Sequence, residues 1–329
     1  MPLGGRTLAL VALLLAGACT APPPSTPTPP AKSLADQATF LLANPAGLTL
    51  LDESCRSLGK LIELPAQSAP AYPAMHPSRK SIAFGITLLA AKKTGFGSDI
   101  YTVNLDGTGM RPLVEHEGEN VFYASPRFDQ TGNILYFHRR AAILNPAGQY
   151  LGNEDSVERL DLRTGERKRL LKDAADPDIS PDGRTIVFIH VVDGQLDPTG
   201  LWIAGADGSD PHKLFGRDSF YYVQTPRFAP KGDAIVFSGA GHTVALPSRT
   251  PKLAHLSVPS ELFLTGVASP ALRSLTQTVD DVAPAWSADG SRLAYVGTGA
   301  FFVVTMADQS VKTCAQGQDF FFGDVLWLR

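Results

Sequence analysis

The sequence predicts an all-β fold that is built from a repeated unit of about 50 residues. The clearest unit runs from Pro177 to Phe188 and has the pattern of strand, tight turn and strand. Pro181 presets the backbone φ of the first turn position, and Gly183 suits a position with positive φ. The unit ends on β-branched and aromatic residues, which favour a second strand. This stretch therefore predicts a β-hairpin.

The same hairpin pattern recurs along the chain, with a proline six residues before the turn residue. The pairs of proline and turn residue are Pro73 and Arg79, Pro126 and Gly132, Pro177 and Gly183, Pro226 and Gly232, and Pro284 and Gly290. The second strands close on aromatic residues that lie 49 to 58 residues apart, namely Phe84, Phe137, Phe188, Phe237 and Tyr295. Regular recurrence over this distance is typical of a repeat architecture.

A second strand pair follows each hairpin, so each repeat holds four strands. Asp106 and Asp207 begin two of the turns in these pairs, and a glycine follows each of them. Four antiparallel strands per repeat predict the blades of a β-propeller. Residues 40–65 supply only three strands, and we expect the C-terminal strand Asp324–Trp327 to complete that blade. The prediction is a six-bladed propeller of four-stranded antiparallel blades, closed by its C-terminal strand, which leaves no open edges.

Several turn motifs resemble the blades of TolB-type, WD-like β-propellers. They are the Ser-Pro-Asp-Gly turn at 180–183, the Asp-Gly-Ser turn at 207–209 and the closing Arg/Lys-x-Leu pattern. The resemblance covers nearly all of the chain after residue 40 and implies protein binding through the face around the central channel. It does not extend to TolB itself, because no α/β domain precedes the blades in this sequence.

Residues 1–18 are predicted to be a signal peptide that is not part of the fold. Arg6 precedes an apolar run, and residues 15–19, Leu-Ala-Gly-Ala-Cys, resemble the cleavage box of bacterial lipoproteins. This resemblance implies lipidation of Cys19 and anchoring in the cell envelope, on the periplasmic or extracellular face. The alternative is an ordinary signal peptide that is cut near Ala18. Residues 19–34 are rich in proline and are predicted to form an extended tether to the propeller at 35–329.

Cys55 and Cys314 are the two cysteines that remain after Cys19. An exported protein with two further cysteines often pairs them. Both lie near the predicted closure of the ring, so a disulfide between them is one hypothesis. Two buried free thiols are the alternative.

Three neighbouring blades carry a charged residue directly after the repeat proline. These residues are Arg127, Asp178 and Arg227, on equivalent inner strands. Charges near the axis of a propeller need partners or water. We interpret them as a salt-bridged girdle around the channel, and a ligand site is the alternative.

The segments that lead into the inner strands contain alternating aromatic and acidic residues. In propellers such segments surround the mouth of the channel, so they predict a binding surface. The candidate residues are Phe122, Tyr123, Phe220, Tyr221, Tyr222, Asp280, Asp281 and Phe321. Two long loops, at residues 139–155 and 239–259, are expected to reach the same face. The alternative is that the aromatic rings pack between blades as core.

Composition and motifs narrow the range of functions. The net charge is −3, with acidic and basic residues interspersed, which argues against a nucleic-acid partner. No Gly-x-Ser-x-Gly or His-Glu-x-x-His motif occurs, and the seven histidines lack the spacing of metal ligands. No glycine-rich phosphate loop follows a strand. We therefore predict no metal, no cofactor and no enzymatic activity.

The resulting interpretation is a monomeric, membrane-anchored envelope propeller that binds a protein or peptide through its channel-mouth face. One alternative is a propeller enzyme, a hydrolase or a polysaccharide lyase, with a site over the channel. The other is a glycan-binding module, which would present Tyr123, Tyr221 and Tyr222 flat and exposed.

Overall fold

The computed structural model describes one compact unit from Ser33 to Arg329. The described residues are 33–92, 94–191, 200–215, 220, 222–241 and 260–329. Within these ranges the chain forms 24 β-strands and a short 3-10 helix, Gln318–Phe320. No helix in the described ranges is long and apolar enough to cross a membrane. The predicted signal peptide and Cys19 lie outside the described residues.

The strands pair as six four-stranded antiparallel blades around a ring, which confirms the predicted all-β propeller. Blade 1 contains β1 (Phe40–Asn44), β2 (Gly47–Leu51), β3 (Ser57–Lys60) and the C-terminal β24 (Asp324–Trp327). Blade 2 contains β4 (Ser68–Met75), β5 (Ser81–Lys92), β6 (Gly95–Asn104) and β7 (Arg111–Val114). Blade 3 contains β8 (Val121–Phe128), β9 (Ile134–Leu144), β10 (Tyr150–Asp161) and β11 (Arg167–Lys172).

In blade 1 the C-terminal β24 is the inner strand. In the remaining three blades the strands run in chain order from the inner to the outer strand. Blade 4 contains β12 (Ala174–Ile179), β13 (Thr185–His190), β14 (Gly200–Gly205) and β15 (His212–Lys213). Blade 5 contains β16 (Tyr222–Phe228), β17 (Ala234–Ala240), β18 (Ser260–Gly266) and β19 (Arg273–Thr278). Blade 6 contains β20 (Ala285–Trp286), β21 (Arg292–Gly297), β22 (Ala300–Thr305) and β23 (Val311–Gln316).

The C-terminal strand closes the ring, as predicted. In the antiparallel ladder between β1 and β24, Phe40 lies opposite Trp327. The two rings pack edge to face with centroids 4.5 Å apart. The indole N–H of Trp327 also donates a hydrogen bond of 2.9 Å to the carbonyl of Ala285 in blade 6. One side chain therefore links the strand to its own blade and to the preceding blade.

Neighbouring blades pack through apolar clusters that combine residues of two sheets. Val187 of blade 4 and Phe237 of blade 5 belong to one such cluster, and both are fully buried. The repeated turns also touch. Gly232 has φ of 75°, and a Cβ added there would lie 3.2 Å from the Pro181 ring in the turn of blade 4. The turn glycine is therefore needed for its backbone conformation and for the close approach of the next blade.

Four inner strands, β4, β8, β12 and β16, carry a bulge immediately before the repeat proline. The residues at the bulge, Tyr72, Ser125, Asp176 and Thr225, are not glycine and yet have φ between 46° and 56°. The pairing of each inner strand shifts register at this point. A bulge bends the strand and redirects its side chains. Here it sets which residues line the channel.

Blades 2 and 3 are joined into one eight-stranded sheet, which the sequence analysis did not predict. β6 and β8 pair in parallel, with Gly97 opposite Val121. Gly97 permits this approach, because a Cβ at this position would lie 2.3 Å from the Val121 carbonyl oxygen.

The expectation of a long loop at residues 139–155 is wrong. β9 and β10 remain paired as far as Leu144 and Tyr150, so this segment is an extended hairpin. Each strand has a continuous run of buried residues within the blade and becomes exposed towards the tip of the hairpin. Most of the other expected loop, at 239–259, lies outside the described residues.

Cys55 and Cys314 form a disulfide with their Cα atoms 5.8 Å apart. Cys55 follows β2 in blade 1, and Cys314 lies on β23 in blade 6. The bond therefore spans the closure of the ring and encloses a sequence separation of 259 residues.

Replacing both cysteines by serine is expected to lower the free energy of unfolding by about 2–5 kcal/mol, because the cross-link restricts the unfolded chain. Denaturant titration of the Cys55→Ser and Cys314→Ser double variant measures this loss. Wild-type protein reduced with dithiothreitol is the matched control. Equal unfolding midpoints for oxidised and reduced wild type, with bond formation verified by thiol assay, would contradict the prediction.

Candidate functional site

The central channel contains two cavities that follow one another along the inner strands. The mouth cavity, of about 440 Å³, is bordered by residues that include Tyr72, Asp176, Asp280, Asp281, Phe321 and Asp324. The inner cavity, of about 270 Å³, is bordered by residues that include Tyr72, Arg127, Asp178, Arg227, Trp286 and Asp324. Tyr72 and Asp324 border both cavities, so they mark the level at which the channel is divided.

Tyr72 is held at this division by the bulge of β4. Its φ is 56°, and its backbone N–H donates a hydrogen bond of 2.7 Å to the Oδ2 atom of Asp324. Burial raises the pKa of the Tyr72 hydroxyl, and the charges of Asp176 and Asp324 raise it further. Tyr72 therefore keeps its proton at neutral pH and can act as a hydrogen-bond donor in the channel.

The predicted charge girdle is only partly paired. The Nε atom of Arg127 lies 3.0 Å from the Oδ1 atom of Asp178. The other carboxylate oxygen of Asp178 accepts a hydrogen bond of 2.8 Å from the backbone N–H of Phe228, in the next blade. Arg227 forms no ion pair within the described part of the chain, and its Nη1 atom donates to the carbonyl of Pro226 at 2.7 Å. The girdle therefore consists of one ion pair and one further arginine.

Asp324 is a channel residue that the sequence analysis did not single out. It begins β24, and its position aligns with Ala283 in the repeat, so the repeat pattern gives no reason to expect a charge there. Burial raises the pKa of its carboxyl group, while the Tyr72 amide and the charges of Arg227 and Arg127 lower it by less. A single acidic residue in an otherwise apolar strand is the signal that would have found it.

Three of the predicted partner-binding residues border the mouth cavity, namely Asp280, Asp281 and Phe321. The charged residues among those that line this cavity in the described ranges are all aspartates. The mouth therefore has negative electrostatic potential and favours basic groups. Tyr221 lies outside the described residues.

Most of the predicted aromatic surface is core. Tyr123, Phe220 and Tyr222 are buried, and Phe122 is half-buried with its ring against Phe96 at a centroid distance of 5.3 Å. Along β8 the reason is the alternation of side chains, which buries Val121 and Tyr123 and leaves Phe122 between them half-buried. Phe220 packs against Phe237, with centroids 5.4 Å apart.

The buried tyrosines have hydrogen-bond partners for their hydroxyl groups. Tyr123 donates to Glu117 and accepts from Arg167, whose guanidinium also lies 4.8 Å from the centre of the Tyr123 ring. Burial and the bond to Glu117 raise the pKa of Tyr123 to about 12. Tyr222 donates to Asp281 in the same manner. These residues stabilise the walls of the channel and do not form its surface.

The exposed aromatic residues at the mouth are Phe321 and Phe322, which are 49% and 55% accessible. They follow the 3-10 helix Gln318–Phe320, whose last residue is buried and fixes the segment. Both border the mouth cavity together with Asp280 and Asp281. The sequence analysis named Phe321 but not Phe322, because only burial separates the exposed members of a run of three phenylalanines.

Two buried histidine–aspartate pairs lie in blades 2 and 3. The Nδ1 atom of His116 lies 2.6 Å from Asp99, and the Nε2 atom of His138 lies 2.6 Å from Asp155. Burial alone would raise the pKa of Asp155, but the bonds and charges of His138 and Arg140 outweigh it and lower the pKa. Both pairs are inside the sheets, and the described residues contain no group of three metal-binding side chains.

Similarity to solved structures supports the fold. The chain superposes on TolB from Acinetobacter baumannii with a TM-score of 0.61 and 15% identity, over 88% of this chain and 65% of that one. It also superposes on a chain of a nidogen/laminin complex with a TM-score of 0.62 and 13% identity, over 87% of this chain and 97% of that one. At these identities the similarity shows a TolB-like propeller fold. No protein-family model matches the sequence.

A curated relative corrects one prediction. A protein of Bacillus subtilis (strain 168) named uncharacterized peptidase YuxL is 29% identical over 146 residues, which cover 38% of this chain and 22% of that protein. Because this relative is named as a peptidase, the prediction that the protein has no enzymatic activity is contradicted. Local sequence motifs do not reveal an active site whose residues come from distant blades of a propeller.

Proposed function

We propose that this protein binds a segment of a partner protein in the mouth cavity. The observation that carries the proposal is the exposed pair Phe321 and Phe322 beside a cavity of about 440 Å³. Aromatic residues at the centre of a concave surface are typical anchors of protein interfaces. Covering one such ring contributes about 1.5–3 kcal/mol.

The charge of the cavity indicates the chemistry of that segment. Asp176, Asp280 and Asp281 border the same cavity as the two phenylalanines. A segment with a basic residue beside an apolar one complements both features. A protein or peptide is therefore favoured over a glycan. Tyr123 and Tyr222 are buried, so they do not provide the flat, exposed rings that the glycan-binding alternative requires.

A photo-cross-linking amino acid in place of Phe322 is expected to capture a discrete partner in cells, because this side chain would be covered by the bound segment. Cross-linked species are measured by immunoblot and identified by mass spectrometry. The matched control is the same replacement at Val311, which is 42% exposed and borders neither cavity.

A second change tests whether the captured partner uses the aromatic surface. Adding Phe321→Ser to the cross-linking variant should reduce capture about tenfold, since the segment loses one apolar contact. Equal adducts at both positions, or capture unaffected by Phe321→Ser, would contradict binding at the mouth.

A second candidate function is a role in peptide hydrolysis, and the similarity to YuxL favours it. In this candidate the channel receives the peptide that is cleaved. It predicts that the purified chain hydrolyses a mixed library of fluorogenic peptides, measured as an increase in fluorescence. Heat-denatured protein is the control. If native and denatured protein give the same rate, the hydrolysis candidate is rejected and the binding of a partner segment is the remaining proposal.

We further propose that the protein is exported and anchored by lipid at Cys19, with residues 19–34 as the tether. The cleavage box and the proline-rich composition support this proposal. Two acyl chains on one cysteine would make the anchoring stable, since a single chain binds membranes only weakly.

Cys19→Ser is expected to move the protein from the membrane fraction to the soluble fraction and to abolish labelling with radioactive palmitate. Fractionation and autoradiography measure the two effects. Ser25→Ala, in the proposed tether, is the control, because it changes neither Cys19 nor the Cys55–Cys314 disulfide. Wild-type protein that takes up no label would exclude the lipid anchor.

A further inference from the structure

Arg227 is a channel cation without a protein counter-ion in the described ranges. It borders the inner cavity, and its Nη1 atom donates a hydrogen bond to the carbonyl of Pro226. Arg127 occupies the equivalent position in blade 3 and donates to Pro126 in the same way, at 2.7 Å. Arg127, however, also pairs with Asp178 at 3.0 Å. Both arginines therefore donate to the carbonyl of the preceding proline, but only Arg127 also forms an ion pair among the described residues.

The two carboxylates that border the inner cavity, Asp178 and Asp324, already accept hydrogen bonds from groups other than Arg227. Asp178 binds Arg127 with one oxygen and the amide of Phe228 with the other. Asp324 accepts the amide of Tyr72. Neither forms an ion pair with Arg227 within the described part of the chain.

Arg127 and Arg227 both border this confined space. Burial, and then repulsion from Arg227, lower the pKa of Arg127 to about 10, and the charges of Asp178, Asp324 and Asp176 offset only part of this effect. Asp178 is already paired with Arg127, so the guanidinium of Arg227 is the charge that a bound anion would compensate. The inner cavity can therefore accept an anionic ligand beside Arg227.

We propose that the inner cavity binds a carboxylate group, held by the guanidinium of Arg227 and supported by Arg127. The planar guanidinium offers parallel donors that match the two oxygens of a carboxylate. The volume of about 270 Å³ admits a small organic acid or the C-terminal residue of a polypeptide. The side chain of Trp286 supplies an apolar wall for the carbon atoms of that ligand.

This site is separate from the mouth cavity, because Arg227 and Arg127 border the inner cavity alone. Failure of the carboxylate proposal would leave the binding of a partner at Phe321 and Phe322 untouched. A negative result of the cross-linking experiment would likewise not contradict the carboxylate site.

The test is thermal unfolding of the full chain with succinate as the probe. If Kd is about 1 mM, about 20 mM succinate is expected to raise Tm by about 3 °C. Succinamide, which has the same shape without charge, should give no shift. Arg227→Gln should abolish the succinate shift, whereas Arg184→Gln, an exposed arginine in the turn of blade 4, should retain it. Acetyl-dialanine with a free or amidated C-terminus separates a polypeptide end from a small acid.

Three results would overturn the proposal: no shift with succinate or acetyl-dialanine in wild type, an equal shift with inorganic phosphate, or a shift that persists in Arg227→Gln. If Arg227→Gln does not fold, nuclear magnetic resonance of wild-type protein replaces it. Succinate should then shift the Nε–Hε signals of two arginines, and unchanged arginine signals would overturn the proposal.

Discussion

A ring of sheets is stable only if its first and last blades share a sheet, and the ladder between β1 and β24 provides that link. Without it, two apolar blade faces and two strand edges would be open to water. Trp327 strengthens the link because its ring packs on Phe40 while its N–H binds the carbonyl of Ala285 in blade 6. Trp286 makes the corresponding bond to the carbonyl of Arg227, at 3.3 Å. Closure therefore repeats a contact already used between blades 5 and 6.

The bulge before the repeat proline in four of the inner strands connects this architecture to the channel. A regular inner strand would place alternate residues between blades and in the channel. The extra residue changes that alternation, and Tyr72, Asp176 and Thr225 border the mouth cavity as a result. The arginines and the aspartate that follow the prolines then lie one level deeper. One backbone irregularity thus divides the channel into an acidic mouth and an inner cavity that carries arginines.

Few of the aromatic residues that precede the inner strands are exposed at the mouth. Tyr123 and Tyr222 are buried with hydrogen-bonded hydroxyl groups, and they stiffen the walls of the channel. Phe321 and Phe322 are exposed because the buried Phe320 anchors the short 3-10 helix before them. Aromatic residues are thus buried and hydrogen-bonded in two blades and exposed in the last connection.

The sequence by itself determined the all-β class, the repeat, the four-stranded blades and the closing strand. These follow from local turn chemistry and from hydrophobic alternation, which depend on neighbouring residues. Only the tertiary structure decided which aromatic rings are exposed, which channel arginine forms no ion pair among the described residues, and how blades 2 and 3 join. Those properties depend on residues about 50 positions apart, such as Arg127 and Asp178, whose distance is set by the packing of whole blades. Asp324 is the clearest case, since its role at the division of the channel depends on the Tyr72 amide, 252 residues away in sequence.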